Sequence, residues 1–449
     1  MSTGRISDFV VTTSFNQIPQ EAVVEAKKCF LDTLGNILSG CGHRVGKMIT
    51  EYVEECGGKP EATVIGAGFK TSAAQAALAN GTMAHVDEYG DHGMTWAAYP
   101  SGPLLPAVLA LGERNKISGK HALEAYILGW EAGAAVGAAT SAKMAARGID
   151  ATVGTGSFAS VAAATKILNL DNQQTRTAIG IAAASAFGLA ANWGRDAKPL
   201  YSGRGASNGV VAGLLAQKGF TANDTILEGP IGFSRVATGE DWDADKATKG
   251  LGTSWRMAIE SGIKPYPCTG ITHRSIDGVL SLLKEYKFSP EEVAEIECHL
   301  PLVGDFLHAR PKTGLQAKYS LHYCVARALL DGEVGYKHFT DEAVAERKVQ
   351  ALILKVKLVA QPGIKYTMDE MHAVKVKLQD GREYYREIPL PRGYLSNPLS
   401  SEELTSKFRN CASSVLSPKA ADRCLELIAN LESLNDIGEL MQIVARSNA

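Results

Sequence analysis

Two hydrophobic periods divide this chain, and the switch between them limits its fold more than any other feature. Up to about residue 290 the apolar residues recur at helical spacing. In "QEAVVEAKKCFLDTLGNILSG", Val23, Ala26, Phe30, Leu34 and Leu38 share one face, and Gly40 stops the run. Residues 72–88, 103–113, 121–140, 156–168, 175–191 and 205–217 predict further apolar helices. Beyond that point "VAEIECHL" (293–300) and "VQALILKVKLVA" (349–360) are rich in strand formers. "HAVKVKLQDGREYYREIPL" (372–390) alternates on both sides of Asp380-Gly381, a hairpin signal. Helical pattern returns at 401–446, where Ser400 and Glu403 have capping-box spacing. The pattern predicts a mainly α protein with an α+β lid. A large helical domain (1–261) is interrupted by a smaller α/β domain (262–393) and completed by a helical return (394–449). A chain of 449 residues is also longer than one core usually serves.

Several function classes are disfavoured. Net charge is −2 with mixed signs and no basic block, which argues against a nucleic-acid partner. The Ala/Gly-rich runs near 131–142 and 179–191 are poor in Leu, Ile and Val and bounded by polar residues. They read as closely packed buried helices, so no membrane association is expected. The polar N-terminus has no secretory signature. The eight cysteines are scattered, with no CxxC pair and no iron–sulfur spacing, as in a cytoplasmic protein with reduced thiols.

Four stretches could carry chemistry. "AHVDEYGDHGMTWAAYPSG" (84–102) crowds His85, Asp87, Glu88, Asp91, His92 and Tyr99 ahead of an apolar helix. His85, Glu88 and His92 could share a helical face, but HExxH spacing and any Cys partner are missing, so no metal is expected. The aromatic residues around them suggest a partly buried loop facing a pocket. "ANWGRDAKPLYSGRGASNG" (191–209) gathers Arg195, Lys198 and Arg204 before a helix, an arrangement for an anion such as carboxylate as much as for a surface turn. "GIKPYPCTGITHRSIDGVL" (262–280) sets Lys264 in a rigid, proline-bearing stretch at the domain junction, with Cys268 and His273 following. A lysine in a closing cleft can serve as a base, although a solvated lysine is the commoner case. "GLQAKYSLHYCVARALLDG" (314–332) adds Lys318, His322 and Tyr323 at a helix start, where Tyr323 could equally be core.

Five segments in this order resemble the MmgE/PrpD family, which contains dehydratases, decarboxylases and epimerases of small carboxylates. They are "ANGTMAHVDEYGD" with "YPSGPLLPAVLALGE", then "TVGTGSFASVAAATKILNLD", "KPLYSGRGASNGVVAGLLAQKGFT", "YPCTGITHRSID" and "AKYSLHYCVARALLDG". The resemblance implies a helical domain with a lid, a homodimer, and catalysis with no metal, cluster or other cofactor. It also shows departures. The family's Asp-aromatic-Asp-Asp run becomes Glu88, Gly90 and Asp91, with His92 in place of the following threonine. Its histidines fall on Tyr99, Asp150 and Tyr201, while Lys198, Lys264, His273, Lys318 and Tyr323 fit.

The expected reaction is proton abstraction next to a carboxylate of a small di- or tricarboxylate, followed by loss of water. Two-base epimerisation, decarboxylation and a silent binding protein are the alternatives. Lys264, Tyr99, Asp150, His273 and Tyr201 are the catalytic candidates. Glu88, His92, Arg195, Lys198, Arg204, Lys318 and Tyr323 are the candidates for binding the substrate.

Overall fold

The computed structural model describes residues 1–93, 96, 99–301, 308–361 and 371–445. The first part is helical: α1 (Gln20–Cys41), α2 (Ala73–Met83), α3 (Ser101–Asn115), α4 (Gly119–Ala146), α5 (Ala151–Ile167) and α6 (Ala197–Gln217). The small residues bring these helices close enough for their backbones to touch. A β-carbon on Gly81 of α2 would lie 2.8 Å from the Gly203 α-carbon of α6, and one on Gly203 would lie 2.3 Å from the Leu78 carbonyl oxygen. Only glycine on both helices permits this crossing, which sets the start of α6 beside the end of α2. No described helix is long and apolar enough to cross a membrane.

Two short strands tie the end of the helical part back to the turn after α2. β1 (Asp91–Gly93) pairs antiparallel with β2 (Ser261–Ile263), with Asp91 opposite Ile263 and His92 opposite Gly262.

The α/β part holds a four-stranded mixed sheet of β3 (Val293–Pro301), β4 (Val356–Gln361), β5 (His372–Leu378) and β6 (Glu383–Ile388), in the order β4-β3-β5-β6. β3 and β4 are parallel; the other pairs are antiparallel. The β5–β6 hairpin turns where Asp380-Gly381 predicts, with Gly381 at φ +90°. The strand expected over 349–360 begins later: residues Arg347–Ile353 are helical. Val349, Leu352 and Ile353, spaced i, i+3, i+4, are buried on that helix's inner face. Helices α7 (His273–Tyr286) and α8 (Leu321–Asp331) pack in the same part.

Buried apolar residues fall into two clusters. One runs from Ile6 to Ile263 and resumes from Leu404 to Val444; the other runs from Tyr266 to Ile388. Helix α9 (Ser401–Ala412) returns to the first cluster, with Phe408 against Gly35 of α1. The protein is mainly α, with a small α/β portion.

Candidate active site

After Met83 the chain enters a turn in which Glu88 takes φ +55°. A side-chain-bearing residue pays about 1 kcal/mol or more for this left-handed conformation, and such strain persists where surrounding contacts hold it. The β1–β2 ladder then anchors this turn beside Lys264, which directly follows β2. The glycine crossing of α2 and α6 brings Lys198, in the first turn of α6, to the same place. The α/β part contributes Lys318 and Tyr319 from just before α8, where the Lys318 carbonyl accepts from Thr269 N–H at 2.9 Å.

The side chains converge on the Glu88 carboxylate. Lys198 Nζ donates to Glu88 Oε1 and lies 2.5 Å from His85 Nε2. The Tyr319 hydroxyl donates to the same carboxylate oxygen at 2.6 Å, and Lys264 Nζ lies 3.6 Å from the other oxygen. Lys264 Nζ donates to the Glu88 carbonyl (2.9 Å), the Cys268 carbonyl (2.9 Å) and the Tyr99 hydroxyl (2.8 Å). The Tyr99 ring lies 4.3 Å from Lys264 Nζ and 4.6 Å from Lys198 Nζ. Beside them Lys318 Nζ donates to the Asp87 carbonyl at 2.9 Å and to its carboxylate at 3.0 Å. Asp87 is held from the other side by His43 (2.9 Å) and Ser39 (2.7 Å). Lys264 is only 1% exposed, Glu88 2%, and Lys198 and Tyr319 4% each.

Burial sets the acid–base properties. It lowers Lys264 to about 7, assisted by the charges of Lys407 and Lys318 and opposed by Cys268 and Asp32. Burial and the three lysines hold His85 well below the ordinary imidazole range, so its ring is neutral. Burial, Lys264 and Lys318 also pull Lys198 down, while the Glu88 carboxylate in contact with it works in the opposite direction. For Asp87, burial alone would raise the pKa, but Lys318, His43 and the hydrogen bonds outweigh it and keep the carboxylate ionised.

Of the residues expected from sequence, the structure brings together Glu88, Tyr99, Lys198, Lys264 and Lys318. His92 turns away and packs at a tilt against Tyr394, ring centroids 4.0 Å apart. His85, Glu88 and His92 therefore do not converge, and among the described residues no three His, Cys, Asp or Glu side chains are placed to hold a metal ion. Asp150 caps α5 through Thr152 N–H (2.8 Å) and accepts from the Trp193 indole (2.6 Å). Tyr201 pins the 189–192 segment, accepting from Leu189 N–H at 3.0 Å and from the Asn192 amide at 2.7 Å. His273 Nε2 lies 3.2 Å from the Cys268 carbonyl, behind Lys264. Arg195 and Arg204 are exposed. The Tyr323 hydroxyl donates to the His338 carbonyl and accepts from Arg327 at 3.0 Å, within the α/β core.

Three participants are not among the catalytic and binding candidates chosen from sequence. His85 and Asp87 stand in the same sequence window as Glu88, and Tyr319 adjoins Lys318, so adjacency to a chosen residue is the available signal.

The fold and the cluster define a mainly α protein with two cores, in which buried lysines, carboxylates and tyrosines from both parts meet at their boundary. The chain belongs to the MmgE/PrpD family: the family's N-terminal domain matches residues 4–245 and its C-terminal domain residues 266–433. Among curated relatives it is similar to a cis-aconitate decarboxylase of Mus musculus, 27% identical over 445 residues, covering 96% of this chain and 90% of the relative. A Homo sapiens cis-aconitate decarboxylase is 27% identical over 443 residues (95% and 91% covered). An Aspergillus terreus cis-aconitate decarboxylase is 24% identical over 469 residues (98% and 95%).

Proposed function

We propose that this protein is a lyase acting at a carbon adjacent to a carboxylate of a small di- or tricarboxylate, with Lys264 and Tyr99 as its proton-transfer pair. One observation carries the reading. Among the described residues Lys264 has three hydrogen-bond partners, and two of them are backbone carbonyls that can only accept. When Lys264 is neutral, its lone pair must therefore face the Tyr99 hydroxyl, the one partner with a proton to give. A lysine lowered to about 7 populates both states near neutrality, as an acid–base catalyst requires.

Lys198 and Lys318 then bind the substrate carboxylates, in exchange for their present contacts with Glu88 and Asp87. Residues 262–393 act as the lid, delivering Lys318 and Tyr319 to the helical part, with Lys264 at the joint where β2 holds it. Decarboxylation is the outcome favoured by the relatives. The carbon–carbon bond to the departing carboxylate breaks, CO2 leaves, and the electron pair is stabilised by the remaining carboxylate beside the lysines. Tyr99 protonates that carbon and recovers its proton from Lys264 in its ammonium form, and solvent then re-protonates the neutral amine. Loss of water is the second reading: it needs another acid at the leaving hydroxyl, and the Tyr319 hydroxyl, 2.6 Å from Glu88 Oε1, faces the same space.

The test is incubation in D2O with cis-aconitate and a panel of hydroxy-di- and tricarboxylates, followed by headspace CO2 and product NMR. CO2 with one deuterium incorporated supports decarboxylation, and alkene formation without CO2 supports the hydro-lyase. Exchange with neither product points to epimerisation. No turnover and no exchange across the panel would overturn the proposal.

A further inference from the structure

Lys407 is a fourth buried lysine, contributed by α9 in the C-terminal return, and it has no place in the chemistry described above. It lies 2.6 Å from Asp32 Oδ1 on α1. Its other contacts leave its own core. Nζ donates to the Tyr89 carbonyl at 2.6 Å and to the Lys264 carbonyl at 2.9 Å, and it sits 3.6 Å from the Tyr89 ring centroid. Thus one ammonium grips the backbone of the residue after Glu88 and the backbone of Lys264 itself.

A buried ion pair is a poor source of stability, because its desolvation cost roughly cancels its attraction. Apolar side chains could pack α9 on α1 as well. What they could not do is hold two carbonyls from separate segments at a fixed spacing. We infer that Lys407 is a positioning residue of this site, fixing the separation of the backbone segments that carry Glu88 and Lys264, with Asp32 as its counter-ion. The inference rests on reading the cluster as the active site.

The arrangement leaves an electrostatic signature that simple packing would not. Lys407 and Asp32 act on the Lys264 amine with opposite signs. Across the site that amine faces Glu88, Tyr99 and Lys198, with Cys268 on its own loop. Lys318 approaches from before α8, and His85 and His92 from the turn and β1. None of these residues is itself substituted when Lys407 or Asp32 is replaced.

The experiment is a side-chain NMR titration of lysine-labelled full-length protein, with the Lys264 signal assigned by its loss in Lys264→Met. Lys407→Met should raise the Lys264 midpoint by about one pH unit, and Asp32→Asn should lower it by a similar amount. Lys407→Arg keeps the charge and should leave the midpoint in place. On whichever carboxylate the wild type turns over, Lys407→Met should lower kcat by about 10- to 100-fold and move upward the limb of the pH profile that reports Lys264. An unmoved Lys264 midpoint in folded Lys407→Met overturns the inference. If that variant does not fold, an unmoved midpoint in Asp32→Asn overturns it. Shifted midpoints in a protein that turns over no carboxylate would instead remove the proposed function and leave the link between Lys407 and Lys264 standing.

Discussion

Replacing Lys264 by methionine should alter how stability depends on pH, and the structure supplies the magnitude. In the fold the amine titrates at about 7, against 10.5 for an ordinary lysine. Between those values the unfolded chain binds more protons than the folded one, so stability rises with pH across that window. The sign comes from burial: the charged amine is penalised in the fold, and the penalty fades once the folded protein no longer carries the proton. Between about pH 6.5 and about pH 8.5 this one group should add about 2 kcal/mol to the unfolding free energy of the wild type. Lys264→Met lacks the term. Its stability at any single pH also reflects the unpaired Glu88 and Cys268 carbonyls, worth about 1–3 kcal/mol each, so the difference between the two pH values is the quantity to compare. Urea titrations of both proteins at both pH values measure it, and titrating groups common to the two cancel. Superimposable pH dependences would refute a buried Lys264 that is half-deprotonated near neutrality, and with it the proton-transfer role.

Lys198→Ala and Lys264→Ala should each lower turnover by about a thousandfold or more in the deuterium assay, and retained activity in both would sink the site assignment. Tyr99→Phe should lower kcat by about 100-fold with little change in KM, because it removes the hydroxyl proton and leaves the ring beside both lysines. Tyr201→Phe should cost about 1 kcal/mol of stability, read from the urea midpoint, by releasing the 189–192 segment. Glu131 accepts from the Arg256 and Met257 N–H groups, and burial raises it to about 7. A raised carboxyl stabilises the fold at low pH and loses that contribution as pH climbs through its folded value. Glu131→Gln should therefore flatten the decline in stability between about pH 5 and pH 7.5 seen by calorimetry.

The helices and the hairpin are legible in the sequence because their signals are local. Val23 to Leu38 repeat within one element, and Asp380-Gly381 is a turn whatever surrounds it. Residues 349–353 read as strand from sequence because a short apolar run has no clear period, and only burial of Val349, Leu352 and Ile353 on one face decides for helix. The site is legible where a motif flags a residue, as at Lys198 and Lys264. Tyr319 and Lys318 meet Glu88 and Asp87 across 231 positions of sequence, a distance no periodicity spans. Lys407 is the least visible. In "SEELTSKFRN" it sits among polar and charged residues with no motif to mark it, and only the fold turns it inward.

The division of the site between two parts bears on its chemistry as well as its assembly. Lys264 owes its lowered pKa first to burial, between Glu88 and Tyr99 of the helical part and Cys268 on its own loop. Its side chain is 1% exposed, so under the proposed function the contacts around it must open to admit a substrate. In the opened state water solvates the amine, the burial penalty falls away, and Lys264 returns toward the ordinary lysine range, protonated and inactive as a base. The strained Glu88 turn fits this opening: its carboxylate satisfies Lys198 and Tyr319 in the closed, substrate-free protein, and an arriving carboxylate can take over those contacts while the backbone relaxes from φ +55°. Under the proposed function, the protonation state of Lys264 is thereby tied to how the two parts meet at one boundary.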